Sequence, residues 1–165
     1  MHPKGCKLVI NVAFYKSLIG ILKIYSTDYA LRKIELVKEI NDFECSEFNY
    51  SVIEQLEAYF QGKLHTFNIP VELPYATVFH KKVYDELLKI GYGKTVTYKE
   101  LAVKAGSPNA SRAVGTAMAK NPVPLIIPCH RVINSNGKTG NYSLGDRENG
   151  KDTKIFLLDF EKSHC

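Results

Sequence analysis

The sequence predicts an α+β fold in which a small N-terminal lobe with an antiparallel sheet packs on a helical C-terminal domain. Three apolar segments rich in Val, Ile, Leu and Tyr come first, separated by short polar links. Helical spacing replaces this pattern from Tyr50 onward. A stretch at 63–75 contains Pro70 and Pro74 and is expected to be irregular. We therefore place the two parts at residues 1–75 and 76–165.

The N-terminal lobe is predicted to hold a three-stranded meander and one helix. Runs that are apolar and bounded by polar links are typical of strands. The strands are expected at 7–14, 18–25 and 29–37. The apolar residues that next repeat with helical spacing are Val52, Leu56 and Tyr59. They predict a helix near 51–61, ended by Gly62.

The C-terminal domain is predicted to contain four helices. The first is expected at 76–90, where Phe79, Val83 and Leu87 repeat at i, i+4 and i+8. The second begins at Thr97, which forms a capping box with Glu100, and runs to about Ala105. The third is expected to begin with Ser107 as N-cap and Pro108 in its first turn, and to end before Pro122. The fourth is expected at 151–162, with an inward face formed by Ile155, Phe156 and Leu158.

The second and third of these helices have the outline of a helix-turn-helix. The third is built mostly from small residues, which are Ala110, Ser111, Ala113, Gly115, Thr116, Ala117 and Ala119. Small side chains let a helix approach either another helix or a nucleic-acid groove, and the pattern leaves both open. Arg112 is the large charged residue in the first two turns. It is either a solvated surface residue or one that reaches into the DNA stack.

Composition places the chain among soluble globular proteins, with 45% hydrophobic and 24% charged residues. No apolar run is long enough to span a membrane, and no secretory signal is evident. The cysteines form no CxxC pair and are Cys6, Cys45, Cys129 and Cys165. We therefore expect a cytoplasmic protein with reduced thiols. The net charge of +5 fits a nucleic-acid partner but does not require one.

Cys129 lies in a proline-framed segment that gives its side chain a fixed direction. Three prolines occur between residues 122 and 128, so the segment cannot be a regular helix, and Leu125, Ile126 and Ile127 are apolar enough to be buried. A lone cysteine is usually a small buried hydrophobic residue. A nucleophilic role needs a nearby base, because an ordinary thiol is mostly protonated at neutral pH. His130 and Arg131 would favour the thiolate if they lie close to it.

The segment IPCHRV at 127–132 resembles the active-site motif of the O6-alkylguanine-DNA alkyltransferases, also called methylated-DNA–protein-cysteine methyltransferases. The resemblance extends from about Phe79 to Glu161. It includes Tyr98 and the segments RAVG at 112–115, NPVP at 121–124 and GNYS at 140–143. These motifs occur in the same order and at matching spacings. The N-terminal 75 residues share only the general plan of a strand-rich lobe.

The resemblance implies a single-turnover S-methyltransferase that repairs DNA by direct reversal. Cys129 would attack the alkyl carbon of O6-methylguanine, and of O4-methylthymine as well, in duplex DNA. His130 would accept the thiol proton through a water, with Glu161 orienting it. Tyr98 would donate a proton toward the departing base. No metal or organic cofactor is implied.

The remaining implied roles concern the flipped base and its DNA. The base pocket would be formed by Val132, Tyr142 and Ser143, together with the backbone carbonyl of Cys129. Asn121 would brace the turn before the cysteine segment. Arg112 would fill the gap left by the flipped nucleotide, and Ala110 and Ser111 would let the helix lie in the minor groove. The phosphate contacts would come from Lys99, Ser107 and Ser135. The partner is expected to be double-stranded DNA, bound by a monomer.

Three alternatives remain open at this stage. A helix-turn-helix regulator that binds DNA without catalysis would explain residues 97–120, but not the segment 121–132. A non-catalytic relative would lack the cysteine at position 129. A cysteine hydrolase using Cys129 and His130 is disfavoured, because neighbouring side chains of an extended segment point in opposite directions.

Overall fold

The computed structural model describes residues 8–140, 142–144 and 149–165. Its α+β architecture confirms the predicted fold class. The first lobe contains strands β1 (Asn11–Ser17), β2 (Gly20–Ser26) and β3 (Leu31–Val37), followed by helix α1 (Glu47–Phe60). The second contains α2 (Val78–Leu88), β4 (Val96–Thr97), α3 (Tyr98–Lys104), α4 (Ser111–Ala119), β5 (Val132–Ile133) and α5 (Gly150–Ser163). Cys6, Asn141 and the start of the first predicted strand at Lys7 lie outside the described residues.

The three N-terminal strands form an antiparallel meander in the order β1-β2-β3. The first begins at Asn11, several residues later than predicted, because Asn11 pairs with Ser26 at the end of β2. Residues 8–10 therefore pair with no strand in the described part of the chain, and their apolar side chains are exposed. The tight turn after Ser17 is closed by Gly20, whose φ of +123° is a conformation that favours glycine.

Helix α1 starts four residues before the predicted position 51. The Ser46 side chain accepts a hydrogen bond from the Asn49 backbone and caps the helix there. Val52, Leu56 and Tyr59 are buried, as their spacing predicted. Helix α2 is shorter than predicted at both ends, since Thr77 caps it by accepting from the His80 backbone.

The predicted start of α4 at Ser107 is wrong. The Ala110 N–H donates to the Ser107 carbonyl at 2.9 Å, so Pro108 and Asn109 are the central residues of a turn. Proline is favoured at the second position of such a turn as well as in the first turn of a helix. The helix begins at Ser111 instead. The capping box of Thr97 and Glu100 at the start of α3 is present as predicted.

The predicted inward face of α5 is also wrong. Ile155 and Phe156 are 38% and 40% exposed, whereas the buried residues of this helix are Gly150, Lys154, Leu157 and Glu161. Two of these side chains are charged, so a search for apolar periodicity selects the neighbouring face. This orientation brings α5 to the segment that carries Cys129.

The two lobes share one hydrophobic core and are joined by a backbone hydrogen bond. Within the first lobe, the Leu31 N–H donates to the Pro70 carbonyl at 2.8 Å, and the Glu72 N–H donates to the Leu31 carbonyl at 2.9 Å. Between the lobes, the Ile34 N–H donates to the carbonyl of Pro122 at 2.9 Å. Strand β3 therefore supports the chain immediately after Asn121. None of the helices in the described part of the chain is long and apolar enough to cross a membrane.

Candidate active site

Cys129 begins a short 3-10 helix, Cys129–Arg131, that leads directly into β5. Its N–H donates to the Ile127 carbonyl at 2.8 Å, and its side chain is only 3% exposed. The Sγ atom lies 3.5 Å from the Ser143 hydroxyl oxygen. The thiol is therefore held in one position inside the protein, in contact with a residue that sequence reasoning assigned to the base pocket.

Asn121 braces this segment from the end of α4. Its side-chain amide donates to the Ile127 carbonyl at 2.8 Å, and its side-chain oxygen accepts from the Val123 N–H at 3.1 Å. Leu125 lies between these two contacts with a φ of +74°, which is rare for a residue other than glycine. The buried Leu125 side chain and the two Asn121 bonds compensate for that backbone strain.

His130 points away from solvent toward α5. Its Nε2 atom lies 2.7 Å from Glu161 Oε1, and both residues are 0% exposed. Burial lowers the pKa of His130, although the neighbouring carboxylate raises it. Burial favours the neutral ring, and a proton on Nε2 would let that atom donate to the carboxylate that it faces. Its Nδ1 atom has no hydrogen-bond partner among the described residues and is left with a free lone pair.

Glu161 is the centre of a larger hydrogen-bond cluster than the sequence suggested. Arg131 donates to both carboxylate oxygens at 2.9 Å, and the Tyr59 hydroxyl donates to Oε1 at 2.8 Å. The Gly93 N–H donates to Oε2 at 3.1 Å. Burial raises the pKa of Glu161, but the bonds and charges of His130 and Arg131 outweigh it and hold that pKa far below its usual range. The carboxylate is thus charged at neutral pH.

Arg131 follows Cys129 closely in the sequence, which had suggested that it favours the thiolate directly. In the structure its donors are directed to other groups. Its guanidinium donates to Glu161 through two nitrogens and to the Ile90 carbonyl through a third, at 2.6 Å. It also lies 5.8 Å from the centroid of the Tyr92 ring. Arg131 therefore fixes the carboxylate that orients His130.

Lys154 is a buried lysine whose charge favours the Cys129 thiolate, and the sequence did not predict its role. It is 1% exposed, and its Nζ atom lies 5.9 Å from the centroid of the Tyr98 ring. Burial raises the pKa of the Cys129 thiol, while contacts with Ser143 and Asn121 and the charge of Lys154 oppose this effect. Burial also lowers the pKa of Lys154. Its spacing of two helical turns before Glu161 was the signal that could have revealed it.

Tyr98 opens α3 next to this group and is half-buried. Burial and the charge of a Cys129 thiolate both raise its pKa, so the hydroxyl stays protonated. The hydroxyl approaches Gly140 closely, because a Cβ atom at position 140 would lie 2.9 Å from it. A glycine at position 140 thus leaves room for the Tyr98 hydroxyl.

The other predicted base-pocket residues lie around the same segment. Tyr142 is buried and meets the His130 ring edge to face, with centroids 6.2 Å apart. Its hydroxyl has no hydrogen-bond partner within the described ranges. Val132 is completely buried in β5, where it pairs with Val96. The structure therefore brings Cys129, Tyr142 and Ser143 together.

The predicted DNA contacts lie on the surface of α3, α4 and the loop after β5. Arg112 is exposed in the first turn of α4, next to half-exposed Ala110 and Ser111. Lys99 is exposed on α3, Ser135 is exposed after β5, and Ser107 is half-buried in the turn between the helices. No side-chain hydrogen bond or ion pair joins these residues to one another within the described part of the chain. That part also contains no group of three His, Cys, Asp or Glu residues that could hold a metal ion.

Comparisons with known proteins cover both lobes. The profile described as "6-O-methylguanine DNA methyltransferase, DNA binding domain" matches residues 78–163. A second profile, described as "6-O-methylguanine DNA methyltransferase, ribonuclease-like domain", matches residues 10–73. A methylated-DNA–protein-cysteine methyltransferase from Methanosarcina acetivorans is 40% identical over 92% of this chain and 97% of its own length.

Solved structures give the same result. The crystal structure of the Mycobacterium tuberculosis O6-methylguanine methyltransferase superposes with a TM-score of 0.83 at 32% identity, covering 95% of each chain. The same organism's protein in complex with DNA gives a TM-score of 0.81 at 34% identity, covering 92% of each chain. Together with the buried cysteine, histidine and glutamate described above, these matches show that the chain belongs to the 6-O-methylguanine DNA methyltransferase family.

Proposed function

We propose that this protein repairs DNA by direct reversal, moving the alkyl group of O6-methylguanine in duplex DNA onto its own Cys129. The observation that carries the proposal is the buried arrangement of Cys129, His130 and Glu161 on the 3-10 helix and α5. A nucleophile, a base and a group that orients the base are the parts that an activated cysteine requires. The names of the relatives support the same chemistry.

The thiol proton leaves through His130. The Nε2–H of the neutral ring is bonded to Glu161, so Nδ1 is the atom that can accept a proton. We propose that a water relays the proton from Sγ to Nδ1. The imidazolium that results is stabilised by Glu161, whose charge Arg131 keeps in place. The charge of Lys154 also favours the thiolate.

Displacement forms the Sγ–carbon bond as the carbon–O6 bond breaks. The guanine then needs a proton, because it would otherwise depart as an anion. Tyr98 is suited to donate it, since its hydroxyl is protonated and its ring lies beside Lys154. The thioether that forms has no base-assisted route back to a thiol, so each molecule acts once. O4-methylthymine would react by the same displacement.

A thiol that is 3% exposed can meet a base only when the nucleotide leaves the duplex. We propose that α3 and α4 act as a helix-turn-helix, with α4 in the minor groove and Arg112 filling the vacated space. The exposed face of α4 supports this, because Ala113 and Thr116 are small and an added Cβ at Gly115 would meet no atom within 4 Å. Lys99, Ser107 and Ser135 would contact phosphates.

The base pocket would be closed by Tyr142 and Ser143, with the backbone carbonyls of Cys129 and Val132 reading the edge of the base. Four statements remain predictions from the sequence. They are the division into lobes at 1–75 and 76–165, the monomeric state, the cytoplasmic location, and the absence of a bound metal or cofactor.

The direct test mixes the protein with duplex DNA carrying O6-methylguanine with an isotope-labelled methyl group. We expect one equivalent of label per chain, no second turnover, and no label on Cys129→Ser. Cys45→Ser is the matched control, since Cys45 is another free thiol, only partly buried, on the N-terminal lobe, and this variant should react like the wild type.

Other outcomes would favour the alternatives. A DNA-binding regulator would bind the duplex without acquiring label. A hydrolase would release label repeatedly. Either result would overturn the proposed function.

A further inference from the structure

Tyr59 links the N-terminal lobe to the active site. It lies on α1, is 1% exposed, and its hydroxyl donates to Glu161 Oε1 at 2.8 Å across 102 residues of sequence. The same oxygen accepts from His130 Nε2 and from Arg131 Nη2. Tyr59 thus competes directly with His130 for the electron density of one carboxylate oxygen.

We infer that Tyr59 is a positioning residue for the transfer reaction, which acts through Glu161 by setting how strongly that carboxylate holds and polarises His130. The N-terminal lobe thereby supplies part of the proton-accepting apparatus, in addition to its shared core. This inference rests on the proposed function, since it concerns the base of the same reaction.

Loss of the Tyr59 hydroxyl should change the pKa of His130 in a definite direction. A donor to a carboxylate reduces the negative charge available to its other partners. When the Tyr59 hydroxyl is removed, Oε1 becomes a stronger acceptor for the His130 Nε2–H and stabilises the imidazolium. The pKa of His130 therefore rises. Because His130 must be neutral to accept the thiol proton, the acid side of the pH–rate profile moves to higher pH.

Other titratable or charged groups also face His130 and Glu161, and they are the same in the wild type and in Tyr59→Phe. The 3-10 helix contributes Cys129 and Arg131, and α5 contributes Lys154 and, beyond its end, Cys165. The turn after α2 contributes Tyr92, and the segment at 142–144 contributes Tyr142. A shift seen only when Tyr59 changes is therefore assigned to its hydroxyl.

The experiment measures single-turnover transfer from O6-methylguanine duplex DNA as a function of pH, using the full chain. We expect Tyr59→Phe to move the acid limb upward by about 0.5 pH unit and therefore to slow transfer by about threefold at pH values below that limb. The matched control is Tyr25→Phe, because Tyr25 also donates to a glutamate, Glu35, in the same lobe. That variant should have the wild-type profile.

A second substitution guards against a variant that fails to fold. 3-Fluorotyrosine placed at position 59 by suppression keeps the ring and the hydroxyl but makes the phenol a stronger donor. It should move the acid limb to lower pH, opposite to Tyr59→Phe. An acid limb that stays at the wild-type pH in both proteins would overturn the inference, and Tyr59 would then be a packing residue.

The result also separates the inference from the proposed function. If the wild-type protein acquires no methyl group from the duplex, the proposed function fails whatever Tyr59 does. If the wild type reacts and the altered proteins share its pH profile, only the role of Tyr59 fails.

Discussion

Replacing Arg131 with methionine should destabilise the protein far more than removing an ordinary surface ion pair. The Arg131 side chain is 8% exposed and its Glu161 partner is 1% exposed. The substitution keeps most of the side-chain volume but removes two bonds to the carboxylate and one to the Ile90 carbonyl. Among the described residues, the donors that Glu161 then keeps are Tyr59, His130 and the Gly93 N–H.

Leaving one charge of a buried pair without its partner costs about 3–5 kcal/mol. For a chain of this size that loss corresponds to a drop in melting temperature of about 10 °C. The assay is thermal and urea unfolding at pH 7, followed by circular dichroism. The control is Arg32→Met, whose ion pair with Glu72 is 21% and 32% exposed and should be worth less than about 1 kcal/mol.

A double-mutant cycle tests the cause of the loss. If the cost arises from an uncompensated carboxylate, adding Glu161→Gln to Arg131→Met should recover part of the stability, and the two changes will not be additive. Equal losses for Arg131→Met and Arg32→Met, or full additivity in the cycle, would refute the reasoning.

Three further outcomes follow from the geometry of the site. Lys154→Met should raise the pKa of the Cys129 thiol, so the rate of its alkylation by iodoacetamide should rise only at higher pH than in the wild type. Gly140→Ala places a Cβ atom 2.9 Å from the Tyr98 hydroxyl, and should slow methyl transfer about tenfold or more while changing the melting temperature little. Since the pKa of Glu161 is lowered by folding, its contribution to stability is complete at neutral pH. It is lost as the pH falls below the ordinary glutamate pKa of about 4.3, so urea unfolding below pH 5 should be less pH-dependent in Glu161→Gln.

Each of these has an outcome that contradicts it. An unchanged alkylation profile in Lys154→Met would show that its ammonium does not act on the sulfur. Gly91→Ala is the control for Gly140→Ala, because its Cβ would meet only the Lys94 side chain at 3.8 Å, and equal slowing in both would exclude displacement of Tyr98. If the stability of Glu161→Gln depends on pH below pH 5 as strongly as that of the wild type, other carboxylates cause this dependence.

Local signals predicted most of the helices but not all of their ends. The capping box of Thr97 and Glu100 is a local pair of bonds, and it was correctly predicted. Ser107 and Pro108 satisfy a helix start and a turn equally well, and only the bond from the Ala110 N–H distinguishes the two. Ser46 caps α1, yet it was overlooked because the apolar repeat becomes clear only at Val52.

The chemistry of α5 could not be predicted from hydrophobic periodicity. Its inward face carries Lys154 and Glu161, and buried charges violate the pattern that such a search uses. The resemblance named Glu161 but gave no reason for Lys154. The Tyr59–Glu161 bond joins residues 102 positions apart, and no local pattern reports such a contact. The partners of a buried carboxylate are set by tertiary packing.

The most direct test of the account is to identify which cysteine carries the methyl group after reaction with methylated duplex DNA. Peptide mass spectrometry can distinguish Cys129 from Cys6, Cys45 and Cys165 in the same sample. We predict that Cys129 alone gains the mass of one methylene, in proportion to the unmodified guanine that appears in the DNA. Methyl groups on any other cysteine, or guanine restored without a modified Cys129, would contradict the account.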